Sequence, residues 1–168
     1  MSFEYVWHRQ EANFGPPING EVSGGTHISI ENIPTYKGKF VALRRPEAVP
    51  NHEVPIKAQS ADTPHLYFVH DLPVWGETLD DYVPRIVREQ AGVGVVSYRV
   101  AHLKMAVYED SRQWAWTPYT FVELDELPVP GCYGNDVTEV LVFDIDSIPP
   151  DLGWWTVDEL REFLERFA

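Results

Sequence analysis

The stretch Asp71–Val93, DLPVWGETLDDYVPRIVREQAGV, decides how the rest of the chain is read. Leu79, Tyr82, Val83, Ile86 and Val87 recur at the spacing that lines one face of an α-helix. Thr78, with Asp81 three residues on, reads as a capping box with Asp in the usual place of Glu. Gly92 is a natural stop. Asp80, Asp81, Arg85, Arg88 and Glu89 are left for the other faces. Pro84 conflicts with this pattern. An interior proline removes a hydrogen bond at a cost of about 3 kcal/mol, so the helix is expected either to kink there or to form its first turn loosely.

Strand-like segments lie on both sides of that helix. His27–Glu31 alternates, with Ile28 and Ile30 on one face. Lys39–Arg45 has a β-branched and aromatic centre and is stopped by Pro46. His65–His70 reads as a buried strand, and further strand-like runs fall at 94–102, 103–108, 119–124 and 137–144. A second helix closes the chain. Thr156 and Glu159 form its capping box, Trp155 is placed to staple onto Leu160, and Val157, Leu160, Phe163, Leu164 and Phe167 form its apolar stripe. The Gly-, Pro- and Asn-rich stretch 13–25 reads as a loop joining an N-terminal segment to the main body. The expected division is therefore a segment at 1–25 and one domain at 26–168. A loop of about fifteen residues at 50–64 is long enough to suggest a functional role. Strands around a central helix, with a helix at the end, imply an α/β fold with a mixed sheet between helices.

Composition narrows the function. The chain has 168 residues, ordinary globular content and a formal net charge of −13, from 26 acidic against 13 basic residues. That balance excludes general nucleic-acid binding through a basic face. It leaves open a small phosphorylated ligand, because a bound cation screens phosphates locally. Cys132 is the single cysteine, so no intrachain disulfide forms. The sequence shows no apolar run long enough for a membrane span and no signal-like start, and a cytoplasmic location is the default expectation. The Trp-rich segment around Trp114 and Trp116, with the N-terminal segment, would suit a homodimer interface.

Gly76-Glu77, Arg85-x-Val87-x-Glu89 and Gly92-Val93 together resemble the Nudix box. Of nine fixed box positions six match, namely Glu77, Arg85, Val87, Glu89, Gly92 and Val93, while Asp71 stands for Gly and Ile86 and Gln90 each stand for Glu. The flanks are similar too: Leu43-Arg44-Arg45-Pro46 resembles the Arg-rich turn before the box, and Trp155-Thr156 resembles the start of the closing helix. The resemblance spans roughly residues 26–167. It implies a Nudix-like α/β/α sandwich and a hydrolase of nucleoside diphosphate-linked compounds that uses Mg²⁺ or Mn²⁺.

The resemblance assigns roles by position. Family helices present carboxylates at the positions here numbered 86, 89 and 90, one face converging on the metal. Here that face reads Ile86, Glu89, Gln90. Arg85 would orient Glu89, with Glu77 supporting it, so these three are the expected catalytic residues. Gln90 offers a neutral carbonyl, and Asp71 or Glu123 would have to supply the missing charge as metal ligands. Arg45, Trp116 and Tyr119 are the candidates for substrate binding, the last two by stacking a base. His70, His52 and Glu53 are weaker candidates. Two functions follow: a weak or atypical hydrolase, or a catalytically silent fold that binds a nucleotide-like ligand or a protein.

Overall fold

In the computed structural model, which describes residues 26–45, 65–74, 76–107, 114–131 and 137–168, the strand-like segments join one mixed eight-stranded sheet. The strands are β1 (Thr26–Ile28), β2 (Ile30–Tyr36), β3 (Lys39–Arg44), β4 (Leu66–Tyr67), β5 (Val69–Asp71), β6 (Val95–Val107), β7 (Trp114–Leu124) and β8 (Glu139–Phe143). The helices are α1 (Leu79–Ala91) and α2 (Val157–Phe167). Residues 1–25, the loop at 50–64 with His52 and Glu53, and Cys132 lie outside the described residues.

The sheet runs β1-β7-β2-β3-β4, with β5 added to β2, β6 to β7 and β8 to β3. β7 is parallel to β1 and β2, and the other pairings are antiparallel. Lys37 and Gly38, both with positive φ, make the tight turn between β2 and β3. Two positive-φ residues in succession match the right-handed twist of the strands they join. Pro34 and Pro118 interrupt no ladder. Pro34 sits where one edge of β2 changes partner from β5 to β3, and Pro118 where one edge of β7 changes from β1 to β2.

Each helix covers one face. Tyr82, Val83, Ile86, Val87 and Ala91 of α1 pack on Ile30, Val41, Leu43, Val69, Val122 and Leu124. Leu160 and Leu164 of α2 pack on Ile33, Ala42, Leu66, Phe68, Phe121 and Phe143. The result is the α/β/α sandwich with a mixed sheet that the sequence implied. Alternate residues along a strand thus serve different helices.

Local signals are realised closely. Both capping boxes form, at Thr78–Asp81 and Thr156–Glu159, and Gly92 takes the left-handed conformation that ends α1. Pro84 neither ends nor shortens α1. It is exposed, as is Asp80, whose carbonyl loses the bond, so water can replace it. The expected pair of strands at 94–102 and 103–108 is a single thirteen-residue β6, and its register shifts at Val95/Ser97 and Val100/His102 account for the broken alternation.

Candidate active site

The loop from β5 into α1 is organised by Glu77. Its Oε2 accepts from the Val74 backbone N–H at 3.0 Å, and its own N–H donates to the Val74 carbonyl. Arg85, two turns along α1, donates to both oxygens of Glu77, from Nε at 2.5 Å and from Nη2 at 2.8 Å. Its Nη1 donates to Glu89 at 3.1 Å. The Glu77 side chain is only 6% exposed, whereas Glu89 is 33% exposed. Burial alone would weaken the charge on Arg85, but the bonds to Glu77 and the fields of Glu77 and Glu89 outweigh it, and its pKa rises. The structure therefore brings the three expected catalytic residues together.

The inner face of α1 is different. Ile86 is fully buried within the apolar cluster under the helix. Gln90 is also fully buried, and its amide is bound at both ends. Nε2 donates to the His70 carbonyl at 2.7 Å, and Oε1 accepts from the His70 N–H at 3.2 Å. A carboxamide has both an N–H donor group and an acceptor oxygen, the pair a neighbouring strand would offer to β5, whereas a carboxylate has no donor to give. Gln90 is therefore a structural clamp between α1 and β5. Next to it, the Tyr82 hydroxyl donates to the Asp71 carbonyl at 2.9 Å and accepts from the Asp71 N–H at 3.1 Å.

The substitute ligands do not gather around Glu89. Asp71 is buried, and its Oδ1 accepts from the Leu72 N–H at 2.7 Å. Glu123 stands on the other face of the sheet. Its neighbours Val122 and Leu124 point to α1, so Glu123 points away, accepting from Thr35 Oγ1 at 2.7 Å and the Lys37 N–H at 3.1 Å. Among the described residues no group of three or more His, Cys, Asp and Glu side chains could hold a metal ion. A Mg²⁺ or Mn²⁺ site needs several charged oxygens to displace its waters. One partly exposed carboxylate, already shared with Arg85, does not fit that requirement. In place of the expected metal ligands Gln90, Asp71 and Glu123, the structure has a clamp, a turn acceptor and a hairpin brace.

Arg45, Trp116 and Tyr119 are not gathered either. Arg45 is buried, and its charge reaches His70. Tyr119 is packed into the aromatic layer beneath α2, against Trp155 at 5.5 Å and Phe163 at 5.0 Å. Trp116 points to the opposite face, beside Trp114 at 4.9 Å.

One ionisable group was not among the expected site residues. Glu31 of β2 faces α2, is 7% exposed, and accepts from the Trp155 indole Nε1 at 3.3 Å. Burial pushes its pKa up to about 8, a rise the indole bond only partly offsets. Its cross-strand partner His70 is lowered to about 3, chiefly by burial and then by Arg45. In sequence Glu31 looks like an ordinary polar residue at the end of an alternating strand. Nothing local announces that a tryptophan 124 residues away covers it.

No family model matches the chain, and no curated protein sequence matches it. Solved structures do. A MutT NUDIX hydrolase from Burkholderia pseudomallei is similar with a TM-score of 0.60 at 13% identity, over 85% of this chain and 98% of that one. A pyrophosphohydrolase from Bacillus subtilis is similar with a TM-score of 0.55 at 13% identity, over 82% and 78% of the two chains. The NUDIX domain of NrtR from Shewanella oneidensis, solved with ADP ribose, is similar with a TM-score of 0.51 at 12% identity, over 83% and 85%. With a mixed sheet between two helices and this likeness over most of its length, the chain has the fold of the Nudix hydrolases.

Proposed function

We propose that this protein is a catalytically silent Nudix fold, formed by residues 26–168, that binds a small phosphorylated ligand without hydrolysing it through a helix-bound metal. One observation carries the reading: both lost carboxylate positions have structural duties, Ile86 in the core and Gln90 clamped to the His70 backbone. Gln90 cannot turn outward to a metal without leaving the buried His70 N–H and carbonyl unpaired, at about 1–3 kcal/mol each. The ligand class rests on the fold's likeness to a domain solved with ADP ribose. The hydrolase reading keeps one specific support, the intact Glu77–Arg85–Glu89 network. In that reading these three would organise the site, with Mg²⁺ or Mn²⁺ as cofactor.

ADP-ribose is the first probe. It should be titrated calorimetrically with EDTA and again with Mg²⁺ or Mn²⁺, while products are followed by chromatography. The expected result is saturable binding that changes less than twofold on adding metal, with no AMP released. Metal-dependent AMP release that is lost in Glu89→Ala would overturn the silent reading and establish the hydrolase. Absence of binding would remove the phosphorylated-ligand part of the proposal.

A further inference from the structure

The β6–β7 hairpin is apolar where a solvent-facing surface should not be. Among the described residues β6 pairs only with β7. Leu103 pairs with Pro118, Met105 with Trp116 and Val107 with Trp114, and Val100 pairs with Thr120. These residues lie on the face that α1 covers further along, where Val122 and Leu124 are in the core. On the hairpin that face is open. Val100, Leu103, Met105, Val107 and Trp114 are 41–63% exposed. Isolated exposed apolar residues are ordinary, but a contiguous stripe marks an interaction surface.

Charge says what kind of partner fits. The chain carries 26 acidic residues, yet β6 and β7 hold one, Glu123. The basic residues of β6 do not decorate the open stripe: Arg99 lies over the Phe121 ring, on the α2 side, and Lys104 pairs with Thr117 on the same side. The stripe is thus an uncharged window in a strongly acidic molecule. A basic partner would be drawn to other surfaces. A second copy carries the same net charge of −13 and meets no like charge on this stripe, and an uncharged apolar stripe is complementary to itself, as a two-fold interface requires. The five exposed side chains offer roughly 500 Å² per copy, so a pair would bury about 1,000 Å², the lower bound for a specific interface.

We propose that the α1-side face of the β6–β7 hairpin is the interface of a homodimer, two copies packing face to face about a two-fold axis. This inference is independent of the reading of the active site. Sedimentation equilibrium of the full chain, from about 1 to about 100 µM, spans the affinity of a modest interface. The expected mass is that of a dimer at the upper end, and added salt should strengthen it by screening the mutual repulsion. Met105→Lys with Val107→Lys should weaken association at least tenfold while far-ultraviolet circular dichroism stays unchanged. Should that variant lose its fold, Met105→Ser with Val107→Ser must shift the equilibrium in the same direction. A parent protein that stays monomeric at 100 µM, a dimer that dissolves on adding salt, or one that survives these substitutions would overturn the proposal.

Discussion

The two faces of the sheet bury polar groups in opposite ways. Beneath α1 the polar groups that tie the helix to the sheet are neutral and matched. Gln90 meets the His70 backbone, Tyr82 meets Asp71, and Asn32 donates to the Val69 carbonyl at 3.0 Å while accepting from Thr120 at 2.7 Å. Beneath α2 the sheet buries Glu31, an ionisable group with a single indole donor. The difference separates two uses of buried polarity. On the α1 side, where the family resemblance leads one to expect charge, polarity fixes the helix on the sheet. On the α2 side, where nothing in the sequence suggests it, an acid is held neutral by its surroundings.

The most forceful way to break that contrast is to put charge back under α1. Ile86→Glu places a carboxylate in an apolar cluster with no cation of its own, and Arg85 is already engaged by Glu77 and Glu89. Removing the buried methyl groups and burying an unpaired acid should together cost about 4 kcal/mol or more in urea unfolding. A loss below about 1 kcal/mol would mean that α1 can turn position 86 to solvent, and the inner face would then be an adaptable metal site after all. Adding Mg²⁺ to Ile86→Glu/Gln90→Glu sharpens the point. If the pair of carboxylates recovers stability in Mg²⁺ that the parent does not gain, the positions retain ligand geometry.

The α2 face answers to pH. Glu31 titrates near pH 8 when folded and near 4.5 when unfolded. Between those values the folded state keeps a proton that the unfolded state has released, so its contribution to stability is complete below about pH 4.5 and is lost as pH rises toward 8. His70 acts in the opposite sense. It stays neutral down to about pH 3 when folded but takes up a proton near 6.5 when unfolded, so its contribution is lost as pH falls through that window. The two slopes oppose each other between about 4.5 and 6.5, where stability should be nearly flat. It should then fall by about 2 kcal/mol from pH 6.5 to 8, at about 1.4 kcal/mol per unit. Glu31→Gln should abolish the fall above 6.5 and leave the acid limb intact. A parallel loss in both proteins would show that Glu31 is not the group responsible.

What was legible in the sequence follows the range of the forces involved. The caps of α1 and α2 and their apolar stripes are set within a few residues, and each reads directly from spacing. The mixed sheet followed from the order of the elements. The sequence reads β6 as two strands because its register shifts displace the alternation, which is visible only against β7. Glu123 is expected near Glu89 because the resembled family places a further acid in that region; on β7 it takes the face opposite Val122 and Leu124, where Thr35 meets it. Gln90 reads as a weakened ligand because the resembled family carries a ligand carboxylate at its position. Its actual partner is a backbone pair on a strand twenty residues earlier, to which the side chain alone gives no clue.

The finest test compares two neighbours on α1. Gln90→Glu and Glu89→Ala change adjacent residues, one on each side of the boundary between the clamped inner face and the ion-paired outer one. Gln90→Glu removes the donor to the His70 carbonyl and buries a charge that the carbonyl repels, so it should cost about 2 kcal/mol at neutral pH. The cost should shrink in mild acid, where the new carboxyl can regain a proton to donate. Glu89→Ala removes the weaker arm of the Arg85 network, from a side chain that water already reaches, and should cost about 0.3–0.5 kcal/mol. Equal costs would erase the distinction between the two faces. A Glu89→Ala loss above about 1 kcal/mol would show that the outer face is held as firmly as the inner one. The Glu77–Arg85–Glu89 network would then be structural as well, leaving the helix with no residue held apart from packing.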